Sequence, residues 1–232
     1  MPSIIQINSE FSSLAEHAYV QIKQKIFNFE MMPGDLISEG NLAKLVAVSR
    51  TPLRQALQQL QHGGFIKAIP KIGWQVAPLD FDKLDELYDF RILIELHAIM
   101  ALCNSRRDNP ILDELQAIWL RPKSKRSFDT VDVGMLDEQF HSSLVKASGN
   151  VEMLKTHAEI TERIKIVRRL DFTKNNRIND TYDEHGQIIK AIIAGRGAEA
   201  QRLLKAHIEQ SKIEVRKITL GMLQEAKKTA YR

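Results

Sequence analysis

The chain has 232 residues, 44% of them hydrophobic and 27% charged, which is the composition of a globular protein with one large or two modest domains. Its net charge of +4 is too small to indicate by itself that the protein binds nucleic acid. Its single cysteine, Cys103, excludes an internal disulfide framework. Because there is neither a secretory signal nor an apolar run near the roughly 20 residues that span a bilayer, we expect a cytoplasmic protein without a membrane partner.

The first predicted elements are three helices and a two-stranded wing. Residues 10–30 have helical periodicity, with an inward face formed by Leu14, Ala18, Ile22, Ile26 and Phe29. Ser38 can cap a second helix over residues 39–46, and Ser49 can cap a third after a short turn. Alternating residues at 65–69 and 74–77, joined by a turn at 70–73, predict a hairpin. This order of elements predicts a winged helix-turn-helix domain over residues 1–79.

The third helix has one apolar and one polar face. The apolar stripe must face a core, and it consists of Leu53, Ala56, Leu57 and Leu60. The outward face then carries donors suited to phosphates and base edges, namely Arg50, Thr51, Arg54, Gln55 and Gln58. Residues 40–79 include Lys44 among five lysines and arginines but contain no Asp or Glu, which favours double-stranded DNA as the partner over a merely solvated helix face.

After Pro78 the pattern changes to helices with almost no strand signal. Residues 80–232 are therefore predicted to form a second, all-helical domain, so that the protein as a whole is mainly α. The predicted helices cover about 82–106, 109–119, 128–147, 151–170, 181–194 and 198–226. Residues 121–127 and 173–179 are expected to be loops.

Four residues of this second domain can form a metal site. Asp137 and His141 are four residues apart and so share a helical face, while His185 and His207 lie on two later helices. Three imidazoles and a carboxylate suit Zn, Ni, Mn or Fe and leave coordination positions open. The spacing alone also fits hydrogen-bonded core histidines. His17, His62, His97 and His157 lack matching partners and are interpreted as surface or packing residues.

Arg91 lies on an otherwise apolar helical face, so its charge needs a buried partner. Glu95, four residues later, can supply a structural ion pair. The spacing of Arg163 and Arg168 does not distinguish a role in an internal cavity from a solvated face.

The N-terminal motif resembles the GntR family of bacterial transcription regulators. The run includes Pro33–Glu39, Leu42–Ala43, Val48–Leu57 and Gly64–Ile66, with Gly73 in the wing. The resemblance implies that Arg50 and Arg54 contact DNA and that Gly73 lies close to the sugar-phosphate backbone; the expected DNA-binding set is Ser49, Arg50, Thr51, Arg54, Gln55, Lys44 and Gly73. Gly40 stands where some members carry an arginine, so the operator is expected to differ or other polar residues to substitute.

The second domain resembles the all-helical FCD sensor domain of the FadR-like subgroup. The matching runs are Leu136–His141, Glu184–His185 with Gly195, and Ala200 with His207. The resemblance implies a divalent metal on Asp137, His141, His185 and His207. It also implies that Arg91 binds the carboxylate of a small organic-acid effector, and that a homodimer reads a pseudo-palindromic operator.

These observations fit two classes of function. The favoured one is a ligand-responsive, DNA-binding transcription regulator that is not an enzyme. The alternative is a metalloenzyme on a helical bundle, tethered by an accessory DNA-binding head. Against the alternative, no general base stands out beside the four ligand positions. A third interpretation is a regulator whose metal site is empty or purely structural.

Overall fold

A computed structural model describes residues 13–105, 108–171 and 175–217, together with Gly221. The chain divides into two compact units, one that contains the residues up to Asp80 and one over Phe81–Ile218. Each unit is described by itself below.

The first unit is a winged helix-turn-helix domain, as predicted. Its helices are α1 (Leu14–Phe27), α2 (Glu39–Leu45) and α3 (Arg50–His62), and its strands are β1 (Leu36–Ile37), β2 (Ile66–Ile69) and β3 (Gly73–Val76). The strands form an antiparallel sheet in the order β1-β3-β2, with Leu36 opposite Gln75 and Ile66 opposite Val76. The predicted two-stranded wing thus has a third strand, which was missed because two residues are too few to show alternation.

The core of this unit follows the predicted stripe on α3. Leu53, Ala56, Leu57 and Leu60 are fully buried. They pack with α1, whose Ala18, Ile22 and Ile26 are buried too. Leu14 was expected on the same face but is 37% exposed, and Ala15 is buried instead. The reason is that Leu14 opens the first turn directly after the capping residue Ser13, whose side chain accepts from the Glu16 amide.

The second unit is helical, again as predicted. Its helices are α4 (Phe81–Asn104), α5 (Pro110–Trp119), α6 (Thr130–Ala147), α7 (Val151–Asp171), α8 (Asn175–Ile193) and α9 (Gly197–Arg216), and a short 3-10 turn covers Lys123–Lys125. Asn109 caps α5 with Pro110 in its first turn, and Asp129 caps α6 by accepting from two backbone amides.

The predicted loop at 173–179 is wrong over residues 175–179, which belong to α8. This polar, asparagine-rich stretch has a weak helix signal, but Ile178 is buried, so tertiary packing supports the extra turn. α9 ends at Arg216, and the predicted continuation of this helix over 218–226 lies outside the described residues apart from Gly221. Arg106, the predicted end of the first helix of this unit, also lies outside them. Among the described helices, none has the length and apolarity needed to span a membrane.

Candidate functional site

The outer face of α3 presents the predicted DNA-contacting side chains to solvent. Arg50, Thr51, Arg54 and Gln55 are exposed, and so are Ser49 and Lys44. Ser49 occupies the N-cap position of α3, but its side chain makes no capping hydrogen bond. The amides of the first helical turn carry a partial positive charge, so this end of α3 suits a phosphate group.

Arg54 is not isolated on this surface. Its side chain is 64% exposed, yet its Nε donates to Glu39 Oε2 at 3.0 Å. The other oxygen of Glu39 accepts from Trp74 Nε1 at 3.4 Å. A single carboxylate on α2 therefore contacts both α3 and the wing. The acid-free stretch began at Gly40, one residue later, so the sequence pattern missed the acid that matters to Arg54.

Gly73 has a role within the sheet itself. Its φ is +132°, and a Cβ at this position would lie 2.9 Å from the carbonyl oxygen of Ile37. Glycine is therefore required where β3 begins beside β1. Lys71, in the turn before it, also has a positive φ of 65°.

In the second unit, the four predicted metal-ligand residues come together from three helices. Asp137 and His141 lie on α6, His185 on α8 and His207 on α9, and all four are buried. One ligand atom from each lies within 4.8 Å of the others. His207 Nε2 is 3.3 Å from His141 Nε2 and 3.1 Å from His185 Nε2. Asp137 Oδ1 lies 3.4–3.8 Å from the three imidazole nitrogens.

These separations fit a shared cation. Two nitrogens bound to one ion at about 2.1 Å, in tetrahedral or octahedral directions, lie about 3.0–3.4 Å apart. The nitrogen pairs at 3.1 and 3.3 Å fall in this range. The donor set of three imidazoles and one carboxylate is also the one that borderline divalent metals prefer.

The hydrogen bonds behind the cluster strengthen this fit. His141 Nδ1 lies 2.6 Å from Glu95 Oε2, and His207 Nδ1 lies 2.5 Å from Glu184 Oε2. A carboxylate at Nδ1 keeps the proton there, so the Nε2 atoms of His141 and His207 face each other as lone pairs. Two lone pairs repel each other unless a cation or a proton lies between them.

A proton is disfavoured at His141. Burial, followed by the nearby positive charge of Arg91, lowers the pKa of His141 to about 3, although Glu95 opposes the shift. The neutral imidazole that results is the form that binds metals.

Glu95 organises a buried network around the cluster. Its Oε1 accepts from Arg91 Nε at 2.6 Å and lies 2.9 Å from His157 Nε2. Burial by itself raises the pKa of Glu95, but His141, the charge of Arg91 and the hydrogen bond with His157 hold it well below its ordinary value. His157 therefore does more than pack, which sequence spacing could not indicate because its partner is 62 residues away.

Arg91 is only 1% exposed and forms the ion pair with Glu95 that its spacing allowed. Its Nη2 is buried and has no hydrogen-bond partner among the described residues. One donor of this guanidinium is thus left over after the pairing.

Arg168 and Glu184 complete the surroundings of the cluster. Arg168 is 4% exposed, and its guanidinium pairs with Asp137 Oδ2. Sequence spacing could not distinguish this from a solvated position. Glu184 adjoins His185 in sequence but contacts His207, because adjacent helical residues point in different directions.

Aromatic rings and a cavity border the cluster. Phe140 stacks on His185 with ring centroids 3.7 Å apart, and Trp119 meets His185 edge-on at 4.2 Å. A cavity of about 390 Å³ is lined by Glu184 and His207 among other residues of α8 and α9. It has a size suited to a small ligand. Arg91 does not line this cavity.

Comparison with known proteins gives two family matches. Residues 14–76 match the bacterial regulatory proteins of the gntR family, and residues 86–210 match the FCD domain. The Nta operon transcriptional regulator of Aminobacter aminovorans is 30% identical over 85% of this chain and 92% of its own length. The HTH-type transcriptional regulator YdhC of Bacillus subtilis is 27% identical over 82% of this chain and 85% of its own length.

Solved structures share the fold. A GntR transcriptional regulator from Rhodococcus sp. RHA1 has a TM-score of 0.70 at 19% identity and covers 88% of this chain and 98% of its own. McbR/YncC of E. coli has a TM-score of 0.63 at 17% identity, covering 93% and 99%.

Proposed function

Since this chain belongs to the GntR family of bacterial transcription regulators and carries an FCD domain, we propose that it is a metal-containing sensor whose affinity for DNA responds to a small organic acid. In this proposal it acts as a cytoplasmic homodimer, with two recognition helices on the half-sites of a pseudo-palindromic operator. The observation that carries the sensor part is the buried cluster of Asp137, His141, His185 and His207.

The DNA-binding part rests on the exposed face of α3. Arg50 and Arg54 supply guanidinium donors for base edges and phosphates, and Ser49 offers the helix N-terminus to a phosphate. Thr51, Gln55 and Lys44 extend this polar surface. Gly73 brings the wing close to the backbone of the duplex. The carboxylate of Glu39 orients Arg54 until DNA competes for it.

The converging donor atoms of the cluster support metal binding. Asp137, His141, His185 and His207 would hold a divalent ion such as Zn, Ni, Mn or Fe. When bound, the ion supplies a positive charge and open coordination positions for an oxyanion. Glu95 and Glu184 hold two of the imidazoles in the ligating tautomer, and Arg168 neutralises the second oxygen of Asp137.

The effector part rests on Arg91. Its unpaired Nη2 is a buried donor that can donate to a carboxylate, while the pair with Glu95 keeps the guanidinium in place. An effector changes operator affinity only as far as it binds the two DNA-binding states of the protein differently.

Metal analysis and effector screening test the sensor together. We expect the purified protein to retain a divalent metal that His185→Ala and His207→Ala lose, whereas His97→Ala, an exposed histidine outside the cluster, keeps it. Small carboxylic acids should then raise the melting temperature of the wild type only with metal present. Retention of metal by both cluster variants would contradict the assignment.

The metalloenzyme alternative has no support from the relatives. The matched families and relatives are transcription regulators and not enzymes. The chain is accordingly a regulator, and the buried cluster is proposed to serve sensing.

A further inference from the structure

A second cavity lies in the FCD unit, and one of its lining residues, Trp119, also packs against His185 of the four-residue cluster. It has a volume of about 310 Å³ and is formed by the end of α5, the loop that follows it and the middle of α8. None of the four cluster residues lines it. The proposed function uses no residue of this cavity.

The cavity is positively charged. Arg121, Arg126 and Lys190 line it, against a single lining carboxylate, Asp183. The C-terminal end of α5 adds a partial negative charge of about half a unit, which is too small to cancel the remaining excess of two positive charges. The local field therefore favours an anion.

Arg126 is held in place with spare donors. Its side chain is 9% exposed, its Nη2 donates to Asp183 Oδ1 at 2.8 Å, and its guanidinium carbon lies 4.9 Å from the ring centre of Tyr182. Its Nε and Nη1 are buried and have no hydrogen-bond partner among the described residues. Leaving two charged donors unpaired is costly, and an anionic acceptor would remove that cost.

The indole of Trp119 adds a third donor. Its Nε1 is also buried without a partner in the described part of the chain, and its ring forms part of the cavity wall. Gly186 allows α8 to approach here, since a Cβ would lie 3.2 Å from the Trp119 carbonyl oxygen. The two side chains that carry these unpartnered donors belong to different elements and line the same cationic cavity, which is typical of a ligand site.

We propose that this cavity is a second binding site of the sensor unit, for a small oxyanion that pairs with Arg126 and is attracted by Lys190 and Arg121. Carboxylates and phosphates share this chemistry, and the size of the cavity limits the ligand to a small metabolite or an inorganic anion. The site does not depend on the metal or on Arg91.

Trp119 provides the readout. The chain has two tryptophans, so a Trp74→Phe background leaves Trp119 as the sole indole. Metal-stripped protein is titrated with inorganic phosphate and, separately, with succinate at constant ionic strength, while Trp119 fluorescence is followed. We expect saturable binding of at least one probe, and the comparison distinguishes phosphate from carboxylate as the preferred group.

Three variants decide the assignment. Arg126→Met should weaken binding at least about tenfold, the loss expected for one charge-assisted hydrogen bond. Asp183→Asn should tighten binding, because it releases Nη2 of Arg126 and removes the opposing charge. A general loss of folding cannot produce that gain. Arg202→Met, at an exposed arginine of α9 outside the cavity, should leave binding unchanged.

Several results would overturn the proposal. They are no saturation by either probe at millimolar concentration, equal losses in Arg126→Met and Arg202→Met, or weaker binding in Asp183→Asn. Loss of binding in Arg91→Met with Arg126→Met unaffected would place the anion at the metal cluster, which would leave the proposed function intact and remove this second site.

Discussion

At the scale of single residues, the two arginines proposed to contact DNA differ in how they are held. Arg50 is exposed at the start of α3, whereas Arg54 is already oriented by Glu39. Such a surface ion pair contributes little to stability, since its solvent exposure screens the attraction. Its value is in restricting the rotamers of Arg54 before DNA arrives.

Replacing Arg50 by Ala is expected to weaken operator binding by about 1–3 kcal/mol, the loss of one base or phosphate contact. The operator is first selected from a random duplex pool with the wild-type protein, and affinities are then titrated at fixed salt. Arg202→Ala serves as the control for a lost surface arginine. Equal affinities of Arg50→Ala and wild type would remove Arg50 from the interface.

Arg91 is both the ion-pair partner of Glu95 and the residue proposed to bind the effector. Arg91→Met leaves the buried carboxylate of Glu95 without its cation, so stability should fall by about 3–5 kcal/mol in chemical denaturation. We also expect effector to change neither the stability nor the DNA affinity of this variant, while DNA binding without effector persists.

Arg91→Lys refines the comparison, since it keeps the charge beside Glu95 but loses the spare Nη2 donor. A reduced effector response in this variant supports the carboxylate contact. A wild-type response in both variants means that Arg91 is purely structural.

At the scale of elements, the wing depends on how closely β3 approaches β1. The positive φ of Gly73 and the short distance from a Cβ to the Ile37 carbonyl oxygen act together. Gly34 has a comparable φ of +93° but open space around it. Substitutions at the two glycines can therefore distinguish the effect of backbone strain from that of steric contact.

Gly73→Ala is expected to destabilise the DNA-binding unit by about 1–3 kcal/mol through backbone strain, with a further loss from the contact with Ile37. Gly34→Ala should cost less, because only its backbone is strained. Urea denaturation followed by Trp74 fluorescence in a Trp119→Phe background measures both. A larger loss at Gly34 would contradict the account of the close strand approach.

At the scale of the molecule, the buried charged side chains of the described residues lie in the FCD unit. The FCD unit holds Arg91, Glu95, Asp137 and Arg168 nearly inaccessible to solvent, beside buried histidines. Pairing offsets the cost of removing these charges from water. A change that removes one partner of the network is therefore expected to lower the stability of the whole unit.

The metal-free FCD unit is expected to lose stability as the pH falls. The pKa of His141 is about 6.5 when unfolded and about 3 when folded, so the unfolded chain binds more protons between these values and is favoured by acid. The lowered pKa of Glu95 acts in the same direction, because its contribution is present above its unfolded pKa of 4.5 and is lost below.

Urea midpoints of chelator-treated protein at pH 7, 6 and 5 test this expectation, with Trp119 fluorescence in a Trp74→Phe background as the probe. The midpoint should decrease at each step. A midpoint that stays constant from pH 7 to 5 would mean that His141 is not buried in its neutral form.

The local sequence was sufficient to predict most elements. Periodicity placed Leu53, Ala56, Leu57 and Leu60 in the core, and the capping positions Ser49 and Asn109 gave the first residues of α3 and α5. These signals are local, because they depend on neighbours a few residues apart. Resemblance to a family then selected the four candidate ligands from seven histidines and many carboxylates.

Only the tertiary structure identified the partners of the buried and charged side chains. Glu39 with Arg54, His157 with Glu95, Glu184 with His207 and Asp183 with Arg126 are contacts between residues far apart in the sequence. A buried charge can be satisfied by any suitable group that the fold brings near, and sequence distance carries no information about which one. Helix and strand patterns are local, whereas the electrostatics of a buried site are set by how the elements pack.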